Sequence, residues 1–254
     1  MTVELNHRFD GPEEAPVLAL SNSLGTTPAM WEEQLPALTE RFRVLRYDHR
    51  GHGESPVPTG PYSMADLGGD LLALLDRLEL GRVSLCGVSL GGMVSMWVAG
   101  EQPERIDRLV LCSTSATLGP PELWQERIAA VRSRGTEALA DATIERWLTP
   151  EFRAAHPGRA GSLRAAVATT PDEGYASACE AIRDMDLRER LPRIDAPTLV
   201  IGASDDPSTP PEPHATLIAN SIPGARLVVI DGARHLVNVE RPDEVNPLLL
   251  EHLG

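Results

Sequence analysis

The residues most able to do chemistry sit in the stretch Val83-Ser84-Leu85-Cys86-Gly87-Val88-Ser89-Leu90-Gly91-Gly92. A short apolar run leads into G-x-S-x-G, and an apolar helical segment follows from Leu90 to about Gln102. That order is a nucleophile elbow, a sharp strand-to-helix turn that presents a serine hydroxyl at the top of a parallel sheet. Such a turn strains the serine backbone and crowds its neighbours, which is why glycine is needed two residues to either side. Gly87 and Gly91 meet that need, and Gly92 lets the helix pack closely.

A serine nucleophile requires a base, and a base requires an orienting acid. In the chain order that goes with such an elbow, the acid follows a later strand and a histidine comes near the C-terminus. Thr198-Leu199-Val200-Ile201 runs into Gly202-Ala203-Ser204-Asp205-Asp206-Pro207-Ser208-Thr209-Pro210, and Leu227-Val228-Val229-Ile230 runs into Asp231-Gly232-Ala233-Arg234-His235. His235 is therefore the expected base. Asp205 and Asp206 compete for the third role, and the D-x-x-T-P pattern that starts at Asp206 favours Asp206. A tetrahedral oxyanion would need two N–H donors. The Leu90 N–H is one candidate, and the other lies in Ser21-Asn22-Ser23-Leu24-Gly25, with Leu24 preferred and Ser23 as the fallback.

The elements that would position these groups alternate. Thr2 to Phe9 reads as an edge strand and Val17–Leu20 as a strand buried on both faces, with helical spacing over residues 28–40. Arg43–Tyr47 is the next strand, Ser63–Leu80 an amphipathic helix, and Leu109-Val110-Leu111 a further strand. After two more strands, at 198–201 and 227–230, a last helix follows Pro242. Repeated strand–helix units predict an α/β protein with a doubly wound, mostly parallel sheet. Between about Ser115 and Arg190 the strand signal vanishes and helical segments take over. The expected organisation is a core of residues 1–114 and 191–254 with a helical cap, 115–190, inserted between two strands.

Composition narrows the chemistry. The net charge is −14 with no basic cluster, which argues against nucleic-acid partners and anionic membranes. All the basic residues are arginine; without lysine there is no Schiff base, Ser-Lys dyad or Walker-type phosphate loop. No apolar run approaches the roughly 18 residues of a membrane span. The first residues lack a basic segment followed by an apolar one, and Cys86, Cys112 and Cys179 are too few and scattered for a disulfide framework or a metal site. A reducing, cytoplasmic setting fits these features. Asp48-His49-Arg50-Gly51-His52-Gly53-Glu54-Ser55 could be mistaken for a metal site, but its glycines and preceding strand suit a structural loop.

The chain resembles the 3-oxoadipate enol-lactonases, α/β-hydrolases of the β-ketoadipate pathway of aromatic catabolism. The matching pieces are Ser21-Asn22-Ser23-Leu24-Gly25, Met30-Trp31, Phe42–Asp48, Arg50–Gly53, Gly60–Ser63 and Cys86–Gly92. In the cap, Gly174-Tyr175-Ala176 and Ala181–Arg188 also fit. The resemblance implies the α/β-hydrolase fold and the opening of a small-molecule enol-lactone by water, without metal or cofactor. Its substrate carries a carboxylate, which a chain of charge −14 should repel. Residues 116–190 hold ten arginines against twelve acids, so a local cation at the pocket is reasonable. Trp124 and Arg127 share a helix face, and Trp147, Tyr175 and Arg183 are further candidates for substrate contact. Two rivals stand beside this reading. One is a broad carboxylesterase or cofactor-free perhydrolase on the same triad; the other is a ligand-binding protein that keeps the fold without catalysis. Serine rather than aspartate at the elbow argues against a dehalogenase.

Overall fold

The computed structural model describes all residues, 1–254. Seven strands form one sheet in the order β1-β3-β2-β4-β5-β6-β7: β1 (His7–Asp10), β2 (Val17–Ser21), β3 (Arg43–Tyr47), β4 (Val83–Val88), β5 (Ile106–Cys112), β6 (Thr198–Ala203) and β7 (Arg226–Ile230). Only β1 runs antiparallel, against β3; the other neighbours are parallel. Central β4 and β6 are buried along their whole length, as their mostly apolar composition, with only the small polar Ser84 and Thr198 among it, requires of strands covered on both faces. The edge strand β7 alternates less cleanly and leaves Val229 exposed.

Helices cover the sheet: α1 (Leu35–Leu38), α2 (Met64–Arg77), α3 (Leu90–Glu101), α9 (Thr216–Ser221), α10 (Val237–Glu240) and α11 (Pro242–Leu253). α2 starts with a reciprocal cap, Ser63 Oγ accepting from the Asp66 N–H while the Asp66 carboxylate accepts from the Ser63 N–H. Its Leu67, Leu71, Leu74 and Leu75 are buried, each contributing about 1.5–3 kcal/mol relative to exposure. Between β5 and β6 lie five further helices: α4 (Pro121–Arg134), α5 (Glu137–Trp147), α6 (Pro150–Ala155), α7 (Pro157–Thr169) and α8 (Asp172–Asp184). No helix is long and apolar enough to cross a membrane.

Two local expectations are corrected. Pairing of the first strand begins at His7 rather than Thr2, because earlier backbone groups are taken by side chains: Val3 N–H donates to Asp70 and Asn6 N–H to Ser55. Residues 28–40 are a 3₁₀ turn, Pro28–Trp31, and the single turn α1, each with a proline in its first two positions.

Candidate active site

β4 ends at Val88, and α3 begins at Leu90. Between them Ser89 has φ 56° and ψ −116°, a backbone that a non-glycine residue adopts only when its surroundings enforce it. Here the Ser89 N–H donates to the Cys112 carbonyl and the Thr114 hydroxyl donates to the Ser89 carbonyl, so the end of β5 pins the turn from both sides. A Cβ on Gly91 would stand 2.0 Å from the Ser21 carbonyl oxygen, and one on Gly87 would stand 2.3 Å from the Gly91 carbonyl oxygen. Both positions must be glycine for β4, α3 and the loop after β2 to meet. Serine at a helix N-terminus usually caps it with its hydroxyl, but the twisted Ser89 does not. Its hydroxyl is left for chemistry, and the Leu90 N–H at the positive end of α3 has no partner.

The loop after β7 carries His235, 3% exposed, whose Nδ1 lies 2.8 Å from Asp206 Oδ2. Asp206 is 2% exposed and accepts from the Ser208 N–H, the Thr209 N–H and the Thr209 hydroxyl. Burial works to raise its pKa, yet His235 and these donors outweigh burial and hold the carboxyl below the usual carboxylate value. Asp205 points to solvent and takes a hydrogen bond from Ser204. Of the two adjacent aspartates the structure brings Asp206, not Asp205, to the histidine.

The loop after β2 is held with few free groups. The Asn22 amide donates to the Tyr47 carbonyl and accepts from Trp31 Nε1, and the Gly25 N–H donates to His52 Nε2 at 3.0 Å. Between these fixed points the Leu24 N–H has no intramolecular partner. His49 and His52 lie beneath this loop with pKa values pushed down by burial to about 3 and about 4. They are neutral packing groups, and no cluster of potential metal ligands exists anywhere in the chain.

Ser23, Leu24, Ser89 and His235 all open onto one cavity of about 370 Å³. The Ser89 hydroxyl and His235 Nε2 make no hydrogen bond in this structure, and both face the space a ligand would fill. The roof comes from the inserted helices. Trp124 and Arg127 of α4 line it, as do Thr143, Arg146 and Trp147 of α5, spaced so that each set shares a helix face. The Trp147 ring stands over His235 at 6.4 Å, inclined by 28°. Arg127 lies over Trp124 and donates to the Tyr175 hydroxyl. Neither Arg127 nor Arg146 has an acidic partner, although most other arginines between β5 and β6 do.

Three of the five expected contact residues thus reach the cavity: Trp124, Arg127 and Trp147. Tyr175 does not line it; fully buried, it backs Arg127 from behind. Arg183 lies outside altogether, bound to Asp184 and Gln125. Its neighbour Ile182 faces the cavity, and one step along a helix turns the side chain about 100° away. Arg146 was not anticipated, though its i, i+3 relation to Thr143 and its place beside Trp147 were the available signals.

The α/β-hydrolase fold family model matches residues 16–242. The chain belongs to that family. This hydrolase is 38% identical over 244 residues to 3-oxoadipate enol-lactonase 2 of Acinetobacter baylyi, with 96% of this chain and 91% of that protein covered. It superposes on the crystal structure of the enol-lactonase from Burkholderia xenovorans with a TM-score of 0.95 and 42% identity, covering 98% of this chain and 96% of the other. The resemblance seen in the sequence is borne out. A protein of Stutzerimonas stutzeri that bears the name carbamate hydrolase RutD is 32% identical, with 100% and 97% covered.

Proposed function

We propose that this hydrolase opens the lactone ring of 3-oxoadipate enol-lactone to give 3-oxoadipate, a step of the β-ketoadipate pathway, using a Ser89–His235–Asp206 triad. The observation that carries the reading is the shared cavity: a serine on a strained elbow, a histidine backed by a buried carboxylate, and two guanidiniums without acids face the same space. In this reading residues 115–190 are a cap over a core of 1–114 and 191–254.

His235 Nε2 takes the Ser89 proton as Oγ attacks the lactone carbonyl, and Asp206 fixes the tautomer and stabilises the imidazolium. The oxyanion receives the Leu24 and Leu90 N–H groups. The ring C–O bond breaks, the enol oxygen takes the proton back from His235, and the enol tautomerises to the ketone. Water, deprotonated by His235, then attacks the acyl carbon and the Ser89 oxygen leaves with that proton. Arg127 and Arg146 hold the substrate carboxylate, which supplies the anion that both guanidiniums lack. Trp124 and Trp147 pack against the ring.

The test is loss of enol-lactone absorbance, with the lactone generated in situ, for the wild type and Ser89→Ala. Rapid loss with the wild type alone supports both substrate and nucleophile. Turnover of p-nitrophenyl acetate but not of the lactone would move the assignment to a broad carboxylesterase. Inertness toward both, with no labelling of Ser89 by a fluorophosphonate, would leave a ligand-binding protein.

A further inference from the structure

Glu240 is a carboxylate that the triad does not use. It is 5% exposed and has no arginine or histidine within ion-pair distance. Its charge is satisfied by three short hydrogen bonds. Oε1 accepts from the Thr149 N–H at 2.7 Å and the Thr149 hydroxyl at 2.6 Å, and Oε2 accepts from the Arg234 N–H at 2.6 Å. Thr149 stands where α5 gives way to α6, two residues after Trp147 and three after Arg146. Arg234 immediately precedes His235. One buried carboxylate therefore joins the segment that carries the roof residues to the backbone that carries the base.

Other bonds run along the same seam. The Leu236 N–H donates to the Trp147 carbonyl at 3.1 Å, and the Arg234 guanidinium donates to the carbonyls of Glu145 and Leu148. Residues on both sides of His235 are thus tied to residues 145–149. Within that seam Glu240 is the buried carboxylate, and it divides its two oxygens between the two segments. A neutral amide could accept from one segment but would turn N–H groups toward the donors of the other. The charge is expensive to bury and needs this donor set, so it has a geometric use where an apolar side chain would pack more simply.

We propose that Glu240 is a positioning residue that locks His235 and the Arg146–Trp147 segment in one register, so that base and anion-binding roof are aligned together. This rests on the hydrolase reading above. Nothing in it requires Glu240 to touch substrate.

Glu240→Gln tests it, with kcat and KM measured on the enol-lactone and on p-nitrophenyl acetate, and with the low-field proton resonance of His235 Nδ1–H recorded by NMR. The expected result is a fall in kcat of about 10- to 100-fold on both substrates, the size set by a base displaced by a fraction of an ångström. KM for the charged lactone rises while KM for the neutral ester holds, and the low-field resonance broadens or moves. An unchanged kcat and an unchanged resonance in a folded variant overturn the proposal. Should Glu240→Gln not fold, Thr149→Val removes the hydroxyl that donates to Glu240 and accepts from the Phe152 N–H at the start of α6, while Thr149→Ser keeps both bonds and should restore the wild-type profile. A drop of a few fold in kcat for Thr149→Val with the same KM split supports the proposal, and a wild-type profile for Thr149→Val overturns it. If the wild type turns over neither substrate, the hydrolase reading fails and the NMR resonance alone decides whether Glu240 positions His235.

Discussion

Asp206 Oδ2 stands 2.8 Å from His235 Nδ1 and takes the Thr209 hydroxyl at 2.7 Å, so a single oxygen is shared by the imidazole and the loop that carries the acid. The other oxygen is filled by two backbone N–H groups from Ser208 and Thr209. Every polar contact of this carboxylate faces inward. It cannot turn toward water without abandoning the loop, which means His235 meets it in one orientation.

Asp206→Asn should therefore cut kcat by about 10³-fold or more, because an amide nitrogen at the Oδ2 position would favour the wrong imidazole tautomer. Asp205→Asn, one residue away and solvent-facing, should stay within about twofold of wild type, the range of surface changes remote from the chemistry. Steady-state rates on any ester substrate suffice. A larger loss at Asp205 than at Asp206 would reverse the assignment.

Acid should weaken the fold through His49 and His52. Their folded pKa values, about 3 and about 4, lie below the ordinary 6.5, so the unfolded chain binds protons first. Their contribution is complete above about pH 6.5 and drains away as pH falls toward those lower values, each costing up to about 1.4 kcal/mol per pH unit. Asp206, also depressed, adds a loss in the same direction at lower pH. Tm should fall steadily between pH 6.5 and 4, and a His49→Gln, His52→Gln double variant should show a flatter slope there. Parallel slopes would mean that other groups carry the acid sensitivity.

The elbow is legible in the sequence because three demands coincide on ten residues: a strand buried on both faces, glycines where backbones collide, and a helix that starts at once. The β4–α3 junction leaves few other solutions, and Cβ atoms on Gly87 and Gly91 would collide with backbone. The choice between Asp205 and Asp206 hung on loop chemistry, since neighbours in a turn can face either way until the Thr209 and Ser208 donors are placed. The roof was least legible. Its helices carry charges on most faces, and only packing decides which arginine meets the cavity. Arg183 found Asp184 beside it and stayed outside, whereas Arg146 reached the cavity without an acid partner.

Gly91→Ala offers a test of the proposed oxyanion arrangement that touches no side chain of the proposed triad. The added methyl would stand 2.0 Å from the Ser21 carbonyl oxygen, forcing the loop that bears the Leu24 N–H away from the Leu90 N–H. If the protein folds, kcat should fall by about 10²- to 10³-fold, the usual effect of losing one such donor. KM should move far less. Wild-type kcat in a folded Gly91→Ala variant would show that the Leu24 N–H is not part of the site.

The two cavity arginines should separate charged from neutral substrates. Each guanidinium can give a carboxylate a charge-assisted hydrogen bond worth about 1.5–3 kcal/mol, so Arg127→Ala or Arg146→Ala should raise KM for the enol-lactone about 10- to 100-fold. Arg127→Ala should have the firmer effect, because Tyr175 and Trp124 fix its direction, while Arg146 is more exposed at the cavity mouth. Neither change should alter KM for p-nitrophenyl acetate, which has no carboxylate to bind. Arg183→Ala, already paired outside the cavity, should leave KM for both substrates as it was. Equal losses on charged and neutral substrates would mean that the arginines hold the roof together and that the substrate anion is bound elsewhere.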